Sequence, residues 1–85
     1  MEKHVEIYTL DYCPFCQKAK LFLNEQKVKY SEISCEDNEE EMREFLTKKY
    51  NLQTLATFPQ IIIDGKRIGG YSDMIEKYNN KELSF

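Results

Sequence analysis

Residues 4–23, HVEIYTLDYCPFCQKAKLFL, change their hydrophobic period part-way along. Up to Leu10 the apolar groups alternate as in a strand, with Val5 and Ile7 on one side and Tyr8 and Leu10 on the other. Apolar residues on both sides place such a strand inside a sheet. From Cys13 onward the spacing becomes helical. Phe15, Ala19, Phe22 and Leu23 fall on one stripe, while Lys18, Lys20 and Glu25 lie elsewhere on the cylinder. Pro14 suits a first helical turn, where its missing N–H costs nothing. The stretch predicts a strand over 4–10 and a helix over about 13–26, with two cysteines at the join.

The rest of the chain extends this start. VKYSEIS, 28–34, reads as a second strand. The acidic run EDNEEE reads as the solvated start of a helix: Asn38 is the expected cap, Glu41 its capping-box partner, and negative charge suits the positive end of the helix dipole. Met42, Phe45, Leu46 and Tyr50 form the apolar stripe of that helix. NLQTLAT is a loop. QIII, 60–63, is apolar enough for burial on both faces, Asp64-Gly65 is a hairpin turn, and a short return strand follows. A last helix starts near Tyr71 or Ser72, with Met74, Ile75 and Tyr78 inward. The order strand, helix, strand, helix, strand, strand, helix implies a right-handed parallel first unit and an antiparallel closing hairpin. The fold class is α/β: one four-stranded mixed sheet with three helices on its two faces, and residues 1–85 as a single domain.

Composition narrows the function. The chain has 85 residues, a net charge of −3 and 41% hydrophobic residues, which is enough for a core and too acidic for general nucleic-acid binding. No run approaches the roughly 20 apolar residues of a membrane span, and MEKHVEIYTL lacks the apolar segment of a secretory leader. Three cysteines suit a reducing compartment better than a secreted disulfide scaffold. A cytoplasmic monomer without nucleic-acid or membrane partners is the expectation.

A cysteine where a strand meets a helix has backbone N–H groups and the positive end of the helix dipole beside it, which favour thiolate over thiol. Only the thiolate attacks a disulfide. Residues three apart share a helix face, so Cys16 is expected beneath Cys13: outer nucleophile and inner resolving thiol. Two alternatives compete with redox exchange. A zinc site could draw on Cys13, Cys16, Cys35 and His4, but His4 begins the strand that ends beside Cys13, roughly 20 Å away along it. The other is a pair of inert buried cysteines. Cys35 matches no motif and is expected to be a bystander thiol.

Three segments carry a resemblance. CPFC, 13–16, is similar to Cys-Pro-Tyr-Cys; TFP, 57–59, to Thr-Val-Pro; and GGYSD, 69–73, to Gly-Gly-x-x-Asp, in the order and spacing of glutaredoxins. The chain resembles a dithiol glutaredoxin of thioredoxin-like fold over essentially its whole length. The resemblance implies a thiol-disulfide oxidoreductase that reduces protein disulfides and protein–glutathione mixed disulfides. It implies catalytic Cys13 and Cys16, no permanently bound cofactor or metal, and glutathione as reducing co-substrate. Protein substrates such as ribonucleotide reductase belong to the same implication. Pro59 would follow a cis peptide bond, turning the Phe58 backbone toward glutathione. Phe15, Thr57, Phe58, Pro59, Tyr71, Ser72 and Asp73 would form the glutathione site, with the γ-glutamyl carboxylate at the Tyr71 and Ser72 N–H groups and its ammonium near Asp73. Tyr12 and Phe15 would make an apolar rim. One departure stands out: Leu10 occupies the place where the family usually carries Lys or Arg, and Lys18, Lys48 and Lys49 are the candidates to compensate. It keeps alive a relative reduced by thioredoxin reductase. A third reading, an iron–sulfur cluster shared between two subunits, is disfavoured by Pro14.

Overall fold

In the computed structural model, which describes residues 3–85, strand β1 (Val5–Thr9) lies inside the sheet. Its neighbours are β2 (Ser31–Ser34), parallel, and β3 (Gln60–Ile63), antiparallel; β4 (Lys66–Gly69) pairs antiparallel with β3, giving the order β2-β1-β3-β4. Helices α1 (Pro14–Glu25), α2 (Glu39–Lys49) and α3 (Tyr71–Asn79) cover the sheet. The alternation in β1 decides which face each one takes. Val5 and Ile7 pack with Ile61, Ile63, Ala19 and Leu23 of α1 and Met74 of α3. Tyr8 and Leu10 pack on the other face with Ile62, Cys35, Ala56 and Leu46 of α2. All four residues of β3 are buried, as the apolar run requires. The Asp64-Gly65 turn has positive φ at both residues, 51° and 82°, the geometry that two-residue hairpins favour.

The structure corrects three local expectations. The second strand does not start at Val28. Helix α1 ends with Lys27 N–H bonded to Asn24 O and Val28 N–H to Leu23 O, while Lys27 takes a φ of 59°. This is a Schellman closure, and it uses the chain up to Val28. Pairing with β1 then spans Ser31–Ser34. Asn38 does precede α2, yet its side chain makes no cap hydrogen bond within the described residues. Phe45, assigned to the apolar stripe, is exposed, with the Lys49 ammonium 5.5 Å from its ring centre. Leu46 is what α2 buries, and Met42 and Tyr50 pack beside it.

Two more helix ends repeat the closure of α1. At α2, Asn51 has a φ of 53° and Leu52 N–H reaches Thr47 O; at α3, Lys81 has a φ of 62° and Glu82 N–H reaches Lys77 O. No helix among the described residues is long and apolar enough to cross a membrane.

Candidate active site

The end of β1 and the start of α1 bring the cysteines together. Cys13 is the N-cap of α1 in extended conformation, and Pro14 begins the helix. The cap role falls to sulfur: the Cys16 N–H donates to Cys13 Sγ at 3.2 Å, one of the orphan amides of a helix start. Cys13 is half-buried, whereas Cys16 lies fully buried one turn deeper. Burial, with the neighbouring Cys13 sulfur adding to it, pushes the Cys16 thiol up to about 12. The two sulfurs are therefore unequal: one faces the surface and the other is held protonated beneath it.

A second segment faces Cys13 from across the sheet. The Phe58–Pro59 bond is cis, and the Cys13 thiol donates to the Phe58 carbonyl at 3.5 Å. Phe15, Phe58, Pro59, Gly70, Tyr71, Ser72 and Asp73 line one open cleft of about 170 Å³. The Phe15 and Tyr71 rings stand 6.2 Å apart across it. The start of α3 closes its far end. Gly69 has a φ of 123°, and a Cβ there would come within 2.5 Å of Asp73 Oδ2. That oxygen accepts the Gly70 N–H at 2.9 Å, so Asp73 holds the turn that opens the helix. Thr57 lines a neighbouring cleft instead, with its carbonyl accepting from Gln60 Nε2 at 2.8 Å. A larger hollow of about 580 Å³ lies beside Lys3, Gln26, Val28 and Phe85, and no cysteine lines either space. The smaller cleft is tied to the cysteine pair through Phe58, whose carbonyl accepts from the Cys13 thiol.

Tyr12 and Phe15, which flank Cys13 in the chain, are both exposed. Leu10 is buried against the α2 face of the sheet, so a cation there would be buried with it. Lys18 lies 5.2 Å from the Phe15 ring centre, and Lys49 stacks over Phe45 and Tyr50. Cys35 is fully buried, its N–H bonded to Thr9 O, and burial raises its thiol. Sequence reasoning missed Glu39 and Arg43. Glu39 accepts from the Tyr12 hydroxyl at 2.6 Å and from Arg43, whose guanidinium lies over the Phe58 ring. The spacing of Glu39 and Arg43, four residues apart in a helix, was the signal that could have found them.

The family model described as Glutaredoxin matches residues 5–68. This chain belongs to the glutaredoxin family. Glutaredoxins are glutathione-dependent thiol-disulfide oxidoreductases. Glutaredoxin 1 of Rickettsia bellii (strain RML369-C) is 43% identical over 70 residues, covering 82% of this chain and 71% of that protein. Among solved structures, glutaredoxin 1 from Francisella tularensis, complexed with cacodylate, superposes with a TM-score of 0.82 at 25% identity, covering 94% of this chain and 96% of that one. The buckwheat glutaredoxin–glutathione complex shares the fold at a TM-score of 0.82 and 23% identity, covering 95% of this chain and 73% of that one. The thioredoxin-like architecture expected from the sequence is the architecture observed.

Proposed function

We propose that Cys13 is the nucleophile and Cys16 the resolving thiol of this glutaredoxin. With a protein–glutathione mixed disulfide, the Cys13 thiolate attacks the glutathione sulfur. A Cys13–glutathione disulfide forms, and the protein leaves as its thiolate. A second glutathione thiolate then attacks the bound glutathione sulfur, releasing glutathione disulfide and restoring Cys13. With a protein disulfide, Cys13 first forms a mixed disulfide with the substrate. Cys16 loses its proton and attacks the Cys13 sulfur, freeing the reduced protein and leaving a Cys13–Cys16 bridge. Two glutathione molecules reduce that bridge in turn.

The observation that carries this reading is the inequality of the two sulfurs: Cys16 fully buried, its N–H on the Cys13 sulfur at 3.2 Å. A thiol pushed up to about 12 stays protonated while the outer sulfur reacts.

Glutathione binds, in this proposal, in the cleft of Phe15, Phe58, Pro59, Tyr71, Ser72 and Asp73; Thr57, which faces the neighbouring cleft, takes no part. The Phe58 backbone pairs with it as a short added strand. The N–H groups of Tyr71 and Ser72 take the γ-glutamyl carboxylate. Asp73 Oδ1 receives the ammonium, since Oδ2 already serves Gly70. The buckwheat structure, solved with glutathione, supports the choice of ligand. The protein acts as a single cytoplasmic domain and monomer, on protein disulfides that include ribonucleotide reductase, with no permanent cofactor.

Activity in a glutathione-coupled assay of Cys13→Ser and Cys16→Ser tests the roles. Cys13→Ser abolishes turnover of both substrate types. Cys16→Ser keeps turnover of protein–glutathione mixed disulfides and loses protein-disulfide reduction. Equal loss in the two variants on mixed disulfides overturns the assignment.

A further inference from the structure

Helix α2 reaches both walls of the cysteine site. In its first turn, Glu39 Oε1 accepts the Tyr12 hydroxyl at 2.6 Å. The other carboxylate oxygen accepts both Nη2 and Nε of Arg43, at 2.6 and 3.0 Å. The same guanidinium donates from Nη1 to the Ala56 carbonyl at 2.8 Å, and its Cζ lies 4.9 Å from the centre of the Phe58 ring. One turn further along α2, Thr47 Oγ1 accepts the Ala56 N–H at 2.8 Å. Both polar groups of the Ala56 backbone are thus fastened to α2. Tyr12 immediately precedes Cys13, and Ala56 stands two residues before Phe58.

These two walls need a common anchor. Cys13 and Phe58 are 45 residues apart in the chain, and only 3.5 Å separates the sulfur of one from the carbonyl oxygen of the other. Disulfide exchange demands that the incoming sulfur meet the thiolate in line. In positioned reactions, a misplacement of about 1 Å can cost on the order of a hundredfold in rate. The Arg43 charge is not held open for a ligand, because its fork is already engaged by Glu39 and Ala56. Its geometry is that of a brace.

We propose that Glu39 and Arg43 are positioning residues for the exchange reaction, fixing the separation of the Tyr12–Cys13 wall from the Ala56–Phe58 wall. The proposal rests on the assignment of Cys13 as nucleophile. Alkylation of Cys13 by iodoacetamide needs one wall only, and exchange with a glutathionylated protein needs both. Arg43→Met therefore lowers kcat/KM for a glutathionylated protein about tenfold while changing the alkylation rate less than about twofold. Tyr12→Phe removes one exposed hydroxyl and lowers kcat/KM about threefold. Tyr12→Phe combined with Arg43→Met is no worse than Arg43→Met alone, because both residues act through one carboxylate. Arg43→Lys does not rescue, since an ammonium lacks the planar fork. Glu39→Gln, of unchanged size, reproduces the loss with a thermal midpoint close to that of the parent.

Unimpaired exchange in Arg43→Met, a parallel fall of alkylation and exchange, or additive losses in the double variant each overturn the proposal. If Cys13→Ser keeps its activity, the nucleophile assignment has failed. If Cys13→Ser is inactive and Arg43→Met is unimpaired, the brace alone has failed.

Discussion

The backbone N–H of Cys16 points at the sulfur of Cys13 from 3.2 Å, and one residue is fully buried while the other reaches the surface. A single helical turn makes two chemically equal thiols into an outer and an inner one.

Selective alkylation follows from this. In the reduced protein near neutral pH, iodoacetamide modifies Cys13. Cys16 and Cys35 stay unmodified because both are buried and both thiols are raised. Mass spectrometry shows one adduct on the folded protein and three after denaturation. A second adduct forming at the rate of the first on folded protein contradicts the burial of the inner sulfurs.

Acid stability has a specific contributor on the edge strand. Glu32 of β2 accepts from Lys20 of α1 at 2.9 Å and from the Thr9 hydroxyl of β1 at 2.7 Å. Lys20 first, then Thr9, holds its carboxyl below the usual value. A carboxyl depressed by folding adds stability above its unfolded pKa and loses it as the pH falls through the folded pKa. Lys20 is raised, chiefly by Glu32, and its share is lost only as the pH rises through its own folded pKa. Glu32→Gln thus costs about 1 kcal/mol or less near neutrality, as partly exposed pairs do, and flattens the acid limb of the stability profile. Thermal midpoints measured across the acid range check both effects.

The helix ends offer a gain. Lys27 and Lys81 hold left-handed backbone, with φ of 59° and 62°, in closures that glycine makes without strain. Each change to glycine raises stability by roughly 0.5–1 kcal/mol, the relief of left-handed backbone less the entropy that glycine loses on folding. Urea unfolding of Lys27→Gly and Lys81→Gly measures it, and a fall in midpoint for both contradicts the geometry.

Gly69 offers the reverse. Its φ of 123° and the Asp73 atoms within 2.5–2.9 Å of an added Cβ leave no room for alanine. Gly69→Ala costs about 1–3 kcal/mol. It also displaces Asp73 from Gly70, which raises KM for glutathione. Thermal midpoint and KM measured on one preparation test the two halves together.

The pattern of the chain made most of this legible. Alternation in HVEIYTL announced an interior strand with one cluster on each side, and the Cys-Pro-Phe-Cys join marked the start of α1 as a site. Helix ends were less readable, because the usual signal is a glycine and here lysine or asparagine takes the left-handed position. The early start assigned to the second strand came from that gap, since Val28 and Tyr30 are apolar enough for a strand yet pack as a loop. The brace on the site was hidden for another reason. Tyr12 and Glu39 are 27 residues apart, as Arg43 and Ala56 are 13, and such pairs are decided by topology rather than local pattern. Only the four-residue interval between Glu39 and Arg43 was visible beforehand, within a run that otherwise reads as solvated charge.

Of the protein's three thiols, the most exposed to peroxide is the one with a partner directly below it. Oxidation to a sulfenic acid at Cys13 would be drained into a bridge to Cys16 before it climbs to irreversible states, and Cys35 is sheltered from the oxidant altogether. The burial that sets one thiol beneath the other would also leave the molecule repairable after an oxidative insult.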